Sequence, residues 1–387
     1  MADKSNVTPP ARLMVVGVGG GGGNAVDRMF NTSVNGVELV AVNTDAQVLD
    51  VVRSHRTLQI GGKLTHGLGA GGNPEIGRLA AEESREAIVD LLRGVDMVFI
   101  TAGMGGGTGT GAAPVFAGLA KEAGILTAAI VTRPFSFEGI ARSEKAEAGI
   151  ARLAQGVDAL ICISNDKLLK VAPADTPITK AFEIADEVLR QGVEGISDLI
   201  TVPGMINLDF ADIESVMRGA GTAMMGIGVG TGEGKTKEAA RNAISSPLLD
   251  GSVRGARKVI MNITGGSDLT LEEVTEAAQL IRESVSDRAD IIFGTAIRDG
   301  MDSVRLTVIA TGFSVTYGVD EEDGAGLSNE SMLAHLEQES RVGGDDFDIP
   351  TFLRRGRRVR DEAPRPPWGE RRERDTGRQP PSNKKKT

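Results

Sequence analysis

Two glycine-rich segments, Gly17-Val-Gly19-Gly-Gly-Gly22 and Thr101-AGMGGGTGTG-Gly111, each follow an apolar run and each lead into a helical pattern. At such a strand-to-helix turn the backbone N–H groups can approach phosphate oxygens closely, because glycine places no side chain in the way and the helix N-terminus favours negative charge. The first segment satisfies G-x-G-x-x-G, a dinucleotide fingerprint. Alone it says little, since a run of consecutive glycines meets that pattern by chance and a flexible turn explains it as well. Two such turns on one parallel sheet supply two sets of donors at the same carboxyl edge, where open α/β sheets bind ligands. Thr108 and Thr110 add hydroxyl donors. The pair suits a nucleoside di- or triphosphate, whose charge needs many donors. No Walker A sequence is present: the nearest, Glu233-Gly234-Lys235-Thr236, would need glycine where Val229 stands, and reads as a turn before a helix.

The elements that must hold these turns follow from hydrophobic periodicity. Apolar runs at Arg12–Val18, Glu38-LVAVN, Asp96-MVFITA, Leu126-TAAIVT and Asp158-ALICIS read as strands. Helical stretches from Asn24, over Ile76–Arg93, Ala112–Ala123 and Ser143–Gln155 lie between them. Strands alternating with helices predict a doubly wound parallel sheet over residues 11–175. Asp175 is then placed as an N-cap and Pro177 in the first turn of a long helix. Its stripe of Ile178, Phe182, Ala185, Leu189, Val193, Ile196 and Ile200 marks residues 176–204 as a connecting helix. Gly192 and Gly195 inside it each cost about 1 kcal/mol relative to alanine. A second, smaller α/β domain with a mixed sheet is expected over 205–313, including helices at Phe210–Gly219, Lys237–Ser245 and Thr270–Ser284. Residues 314–344 read as a disordered acidic linker, 345–355 as a docking peptide and 356–387 as a basic disordered tail.

Charge divides the chain in the same way. The 387 residues carry a net −10, yet Leu353–Thr387 holds 13 Lys/Arg against 5 Asp/Glu, so an acidic body precedes a basic tail. An acidic body argues against nucleic-acid or anionic-membrane binding by the whole domain. One cysteine excludes an intrachain disulfide framework and a multi-cysteine zinc site. Cys162 is expected as a buried strand thiol, Met224 and Met225 as core, and His55, His66 and His335 show no metal-ligand spacing. Trp368 reads as incidental to the tail. With no leader-like or membrane-spanning run, the expectation is a soluble cytoplasmic protein.

Gly103-MGGGTGTG-Gly111 is similar to the signature loop of the tubulin/FtsZ family of GTPases, on its bacterial cell-division branch. The likeness continues through Gly19-GGGGNAV, Ala41-VNTDAQ, Gly67-LGAGGNPE, Asn165-DKLLKV, Asn207-LDFAD and Asp345-DFDIPTFLRR, covering residues 12–313 and the terminal peptide. It implies a GTPase domain, a connecting helix, a C-terminal domain and head-to-tail filaments that scaffold division at midcell on the inner face of the membrane. It also implies that GTP or GDP is held by Gly20, Gly21, Gly22, Gly23, Asn24, Asn43, Asp45, Gly69, Ala70, Gly71, Gly103, Gly105, Gly106, Gly107, Thr108, Gly109, Thr132, Pro134, Glu138, Arg142, Asn165, Phe182 and Asp186. Mg²⁺ is expected with the phosphates, and the sequence identifies no ligands for it.

The residues themselves leave alternatives beside those roles. Asp186 lies four residues after Phe182 on one helical face, where a carboxylate can accept guanine's two Watson–Crick N–H groups and a phenyl ring can stack on the base. A core phenylalanine and a solvated charge fit equally well. Glu138 and Arg142 form an i,i+4 pair that is ordinarily a helix salt bridge; the resemblance sends them to ribose and phosphates. Asp209 suits an N-cap with Asp212 at its third helical position. The resemblance implies that Asn207, Asp209 and Asp212 act on the nucleotide of the neighbouring subunit, orienting or deprotonating the attacking water. In the terminal peptide it implies that Phe347, Ile349, Pro350, Phe352 and Leu353 dock into membrane-tethering and regulatory division proteins. The basic tail would meet anionic lipid, nucleic acid or acidic protein. Two other readings stand beside this one: a non-catalytic nucleotide-dependent scaffold, and an NAD-type dehydrogenase with Asp45 as the ribose acid about 20 residues beyond the fingerprint.

Overall fold

The protein is seen as a computed structural model that describes residues 11–32, 36–169, 173, 176–202, 206, 208–246, 248–249, 253–298 and 300–313. The docking peptide, the linker, the basic tail and Asn207 therefore lie outside the described residues, as do Asp175, His335 and Trp368. In chain order the elements are β1 (Leu13–Val18), α1 (Gly19–Asn31), β2 (Val37–Asn43), α2 (Ala46–Val51), β3 (Arg56–Gln59), α3 (Gly62–Thr65), α4 (Pro74–Glu83), α5 (Arg85–Leu92), β4 (Met97–Gly103), α6 (Thr108–Glu122) and β5 (Leu126–Arg133). A 3₁₀ turn at Ser136–Glu138 leads to α7 (Ile140–Gly156), β6 (Ala159–Ser164), α8 (Asn165–Leu169), α9 (Ile178–Thr201) and α10 (Phe210–Met217). Then come β7 (Gly221–Thr231), α11 (Lys235–Ile244), β8 (Lys258–Gly265), α12 (Leu271–Ser284), β9 (Asp290–Ile297) and β10 (Ser303–Thr311).

The fold is α/β, and its first half is doubly wound as expected. In β1, Leu13 and Val15 enter a core shared with α1 and α9, while Met14, Val16 and Val18 enter a second core under α4, α5, α6 and α7. Burial on both faces is why the strand reads as a continuous apolar run. The second half forms the expected mixed sheet, with β10 antiparallel to β7 and β8, and β9 parallel to β8, and that sheet continues the first through β7. Gly221–Ala223 of β7 pairs in parallel with Ala159–Ile161 of β6, and the rest of β7 pairs antiparallel with β10. One ten-stranded sheet results, in the order β3-β2-β1-β4-β5-β6-β7-β10-β8-β9.

Other boundaries move for identifiable reasons. The first helix begins at Gly19, not Asn24, so the glycines form its opening turns. The stretch Ile76–Arg93 is two helices separated at Ser84, whose Oγ accepts a hydrogen bond from the Gly61 backbone 3.0 Å away. Pro177 is the N-cap of α9, in place of Asp175. Cys162 is half-buried where full burial was expected, while Met225 is core and Met224, half-buried, packs against the separate core around Ala239, Val259 and Leu306.

Helix α9 crosses the whole sheet. Near its start the Phe182 ring meets Phe135, just beyond the carboxyl end of β5, edge-on with centroids 5.3 Å apart. At its end Thr201 lies against Gly36, immediately before the amino end of β2. Its two internal glycines allow close packing: a Cβ on Gly195 would come 2.8 Å from the Thr307 methyl of β10, and one on Gly192 would come 3.1 Å from the end of Met225. Gly195→Ala should therefore lower stability by about 1–3 kcal/mol through overpacking, more than the helix propensity it gains. A lower urea midpoint at unchanged slope is the expected result; an unchanged midpoint would refute the packing account. The same helix carries a buried ion network, in which Arg190 meets Glu194 at 2.7 Å, Arg305 meets Glu194 at 3.0 Å and Arg298 meets Asp198 at 2.7 Å.

Candidate functional site

The two glycine-rich turns lie backbone to backbone. A Cβ on Gly19 would come 2.8 Å from the Gly109 nitrogen, and one on Gly21 would come 3.2 Å from the Gly103 nitrogen. Only glycine permits that approach. A third loop joins them, because a Cβ on Gly107 would meet the Ala70 Cβ at 2.8 Å and the Asn73 nitrogen at 3.0 Å. Gly69 N donates to the Thr44 carbonyl at 3.4 Å, bringing the end of β2 into the cluster, and Thr44 and Thr108 share a hydroxyl hydrogen bond of 2.7 Å. Asn43 is buried and its Oδ1 accepts from the Thr44 and Asp45 backbones at 2.8 and 3.3 Å.

Several of these side chains also brace the loops that carry them. The Thr110 hydroxyl is buried and accepts from Gly105 N at 2.8 Å, bracing its own loop. Asp45 caps α2, its Oδ1 accepting from the Gln47 backbone at 3.0 Å. Glu138 and Arg142 do pair, at 3.0 Å, but across Gly139 and not along one helix. The other oxygen of Glu138 accepts from the Phe135 backbone at 2.9 Å, so this carboxylate holds the turn after β5. Arg142 and Pro134 flank Gly105, where a Cβ would lie 2.8 Å from the Arg142 Cγ and 3.4 Å from the Pro134 ring. Thr132 stands beside Gly103, with its Oγ1 3.7 Å from where a Cβ would be.

Between these loops some glycines face nothing. Gly20, Gly71 and Gly106 have open space within 4 Å of a Cβ position. On α1, Gly20 and Asn24 share the exposed face at i,i+4 spacing. Aromatic rings form one wall: Phe135 stacks on Phe137 at 5.0 Å and takes Phe182 edge-on. Asn165, at the end of β6, is buried with its Oδ1 lacking any hydrogen-bond partner. A buried acceptor without a donor is costly, and the N–H edge of a base would relieve it. Next to it, Asp166 accepts from the Ser136 backbone at 2.9 Å and ties this corner to the aromatic wall.

Asp186 completes the pocket. It is buried, and burial pushes its carboxyl up to about 6 against the opposing pull of Arg28. Arg28 Nε reaches Asp186 Oδ2 at 3.4 Å. Sequence reasoning did not single out Arg28, Phe137 or Thr44. For Arg28 the available signal was its place four residues after Asn24 on the face that begins with Gly20.

Asp209 and Asp212 lie elsewhere. They form the expected capping box of α10: Asp212 N donates to Asp209 Oδ1 at 2.8 Å and Asp209 N to Asp212 Oδ2 at 3.3 Å. The far end of α10 sits at the amino edge of the sheet, where Arg218 reaches the Gly124 carbonyl just before β5. Among the described residues no group of three or more His, Cys, Asp or Glu is placed to hold a metal ion, and no helix is long and apolar enough to cross a membrane.

A doubly wound sheet with three glycine-lined loops, an aromatic wall and a buried carboxylate at one edge defines a nucleotide-binding α/β protein. Residues 12–173 match the Tubulin/FtsZ family, GTPase domain, and residues 221–314 match the FtsZ family, C-terminal domain. An empty FtsZ dimer from M. jannaschii is 42% identical, with 82% of this chain and 96% of that one covered and a TM-score of 0.77. A point mutant of M. jannaschii FtsZ is 45% identical over 79% of this chain and 92% of that one, with a TM-score of 0.76. CetZ1 from Haloferax volcanii, as a GDP-bound monomer, shares the fold at 22% identity, 84% and 99% coverage and a TM-score of 0.68. The chain belongs to the tubulin/FtsZ family and carries its GTPase domain, which removes the dehydrogenase reading.

Proposed function

We propose that this protein is a GTP-hydrolysing filament former of bacterial cell division, in which each active site is completed by the next subunit. The observation that carries the proposal is the path of α9. It starts at the glycine-lined pocket and ends at the opposite edge of the sheet, and the Asp209–Asp212 cap follows in the chain only after that far end. From Phe182 to Thr201 the helix rises roughly 28 Å. Head-to-tail stacking would bring that cap onto a neighbour's nucleotide, and the solved FtsZ dimer supports self-association as the mode of assembly.

In this reading residues 11–175 form the nucleotide domain, 176–204 the connecting helix and 205–313 the domain that supplies the catalytic cap. The Gly20–Gly23, Gly69–Gly71 and Gly103–Gly109 loops hold the phosphates, Arg142 and Glu138 frame them, and Asn165, Phe182 and Asp186 hold guanine. Asp209 and Asp212 orient or deprotonate the attacking water, with Asn207 placing their loop. Mg²⁺, if bound with the nucleotide, would supply positive charge against the phosphates. Residues 345–355 would dock to membrane-tethering and regulatory division proteins at midcell, and the basic tail to anionic surfaces.

Phosphate release from GTP, with ATP as control, tests this across a protein concentration series with pelleting in parallel. Release per subunit near zero below a threshold, rising with pelletable polymer, is expected. A rate per subunit independent of concentration would place the whole site in one chain and remove the Asp209/Asp212 assignment. GTP-dependent pelleting without hydrolysis would leave a scaffold. Chelating Mg²⁺ with EDTA should abolish release at every concentration; full activity in EDTA would remove the metal.

A further inference from the structure

We infer that Arg28 is a specificity-determining positioning residue, which holds Asp186 ionised and fixed so that the pocket selects guanine over purines lacking the exocyclic amine. The inference rests on the proposal that Asp186 reads the base. Guanine offers N1–H and the 2-amino group side by side, and only an ionised carboxylate presents two acceptors with no competing donor. Hypoxanthine keeps N1–H and lacks the amine.

Among the described residues, Arg28 is the cation that pairs with Asp186. The carboxylate is buried on α9, and its described hydrogen bond is the one from Arg28 Nε, 3.4 Å away on α1. The other charged groups that act on it do not hold it ionised: Glu183, one turn earlier on α9, opposes ionisation and is itself drawn off by Lys180 at 3.0 Å. Asp27, beside Arg28 on α1, is engaged by Arg53 at 2.9 Å. Burial works against the charged form and leaves the free carboxyl near 6, within reach of a modest change. Removing the Arg28 cation raises a carboxyl by about one pH unit or more, which would bring the midpoint of Asp186 to neutrality. A protonated carboxyl carries a donor where guanine also has donors, and the discrimination is lost. Arg28 touches the base-reading group, so its effect is read in selectivity.

The test measures GDP and IDP binding to the full chain from pH 5 to 8, without Mg²⁺ and below the assembly threshold. The two diphosphates share the sugar and phosphates, so general attraction to anions cancels in their ratio. The wild-type protein should prefer GDP roughly ten- to a hundredfold at pH 7.5, as expected for one hydrogen bond to a charged group. That ratio should decline as pH falls through about 6. Arg28→Gln should move the decline upward by about one pH unit or more and lower the ratio at pH 7, and Arg28→Lys, which keeps a cation, should restore most of it. A wild-type ratio that does not change with pH overturns the inference whatever the variants do. So does an Arg28→Gln protein that binds both diphosphates more weakly with the ratio and its midpoint unchanged. Asp186→Ala separates the two layers. If it retains the wild-type ratio, the base-reading role of Asp186 fails; if it abolishes the ratio and Arg28→Gln does not, only the role of Arg28 fails.

Discussion

Asp212→Asn is expected to reduce GTP hydrolysis in assembled protein by about a hundredfold or more, while folding, GTP binding and pelleting persist. A positioned general base contributes about 10²–10⁴ to rate, and asparagine cannot take a proton from water. The choice of asparagine over alanine follows from the capping box. Asp212 Oδ2 accepts from the Asp209 backbone and Asp212 N donates to Asp209 Oδ1. An asparagine side-chain oxygen can still accept, so α10 keeps its cap, whereas Asp212→Ala would lose about 1 kcal/mol of helix stability and confuse the two roles. Phosphate release at saturating polymer, read beside thermal unfolding, separates them. Wild-type release by Asp212→Asn would leave the pair as a cap alone.

Gly20→Ala should move stability and affinity in opposite directions. Gly20 is inside α1, has no positive φ, and would place a Cβ in open space. Alanine there should stabilise the folded protein by up to about 1 kcal/mol. The same methyl would occupy the volume proposed for phosphate, and overpacking against a ligand should weaken GTP binding about ten- to a hundredfold. Gly22→Ala supplies the contrast: its Cβ would strike the Thr101 carbonyl oxygen of β4, so the expected result is loss of folded protein. If Gly20→Ala binds GTP as the wild type does, phosphates do not lie against the first turn of α1.

Local pattern and long-range packing account for what could be read from the chain and what could not. The strands of the first half were legible because a sheet covered on both faces requires uninterrupted apolar runs, and β1 and β4 are such runs. The start of α1 was not, since propensity argues against a helix opening in glycine; contact with Gly103 and Gly109 decides it. The break at Ser84 and the bond from Arg28 to Asp186 depend on partners far away in sequence. The cap at Asp209 and Asp212 was legible because capping is local. Spacing alone leaves Phe182 and Asp186 open between core and ligand contact, and the structure gives them one aromatic wall and one buried carboxylate. The joining of two expected sheets through three residues of β7 has no local signature at all.

The passage of α9 from one edge of the sheet to the other has an arithmetical consequence for any finite assembly. If every complete site needs the pocket of one subunit and the cap of another, a linear chain holds one fewer complete site than it has subunits. One terminus then presents a nucleotide with no cap over it, and the other a cap with nothing to act on. The two tips are chemically different objects, and GTP survives longest at the first of them. A dimer would turn over at half the rate per subunit of a long polymer, and closing the chain into a ring would abolish both tips at once.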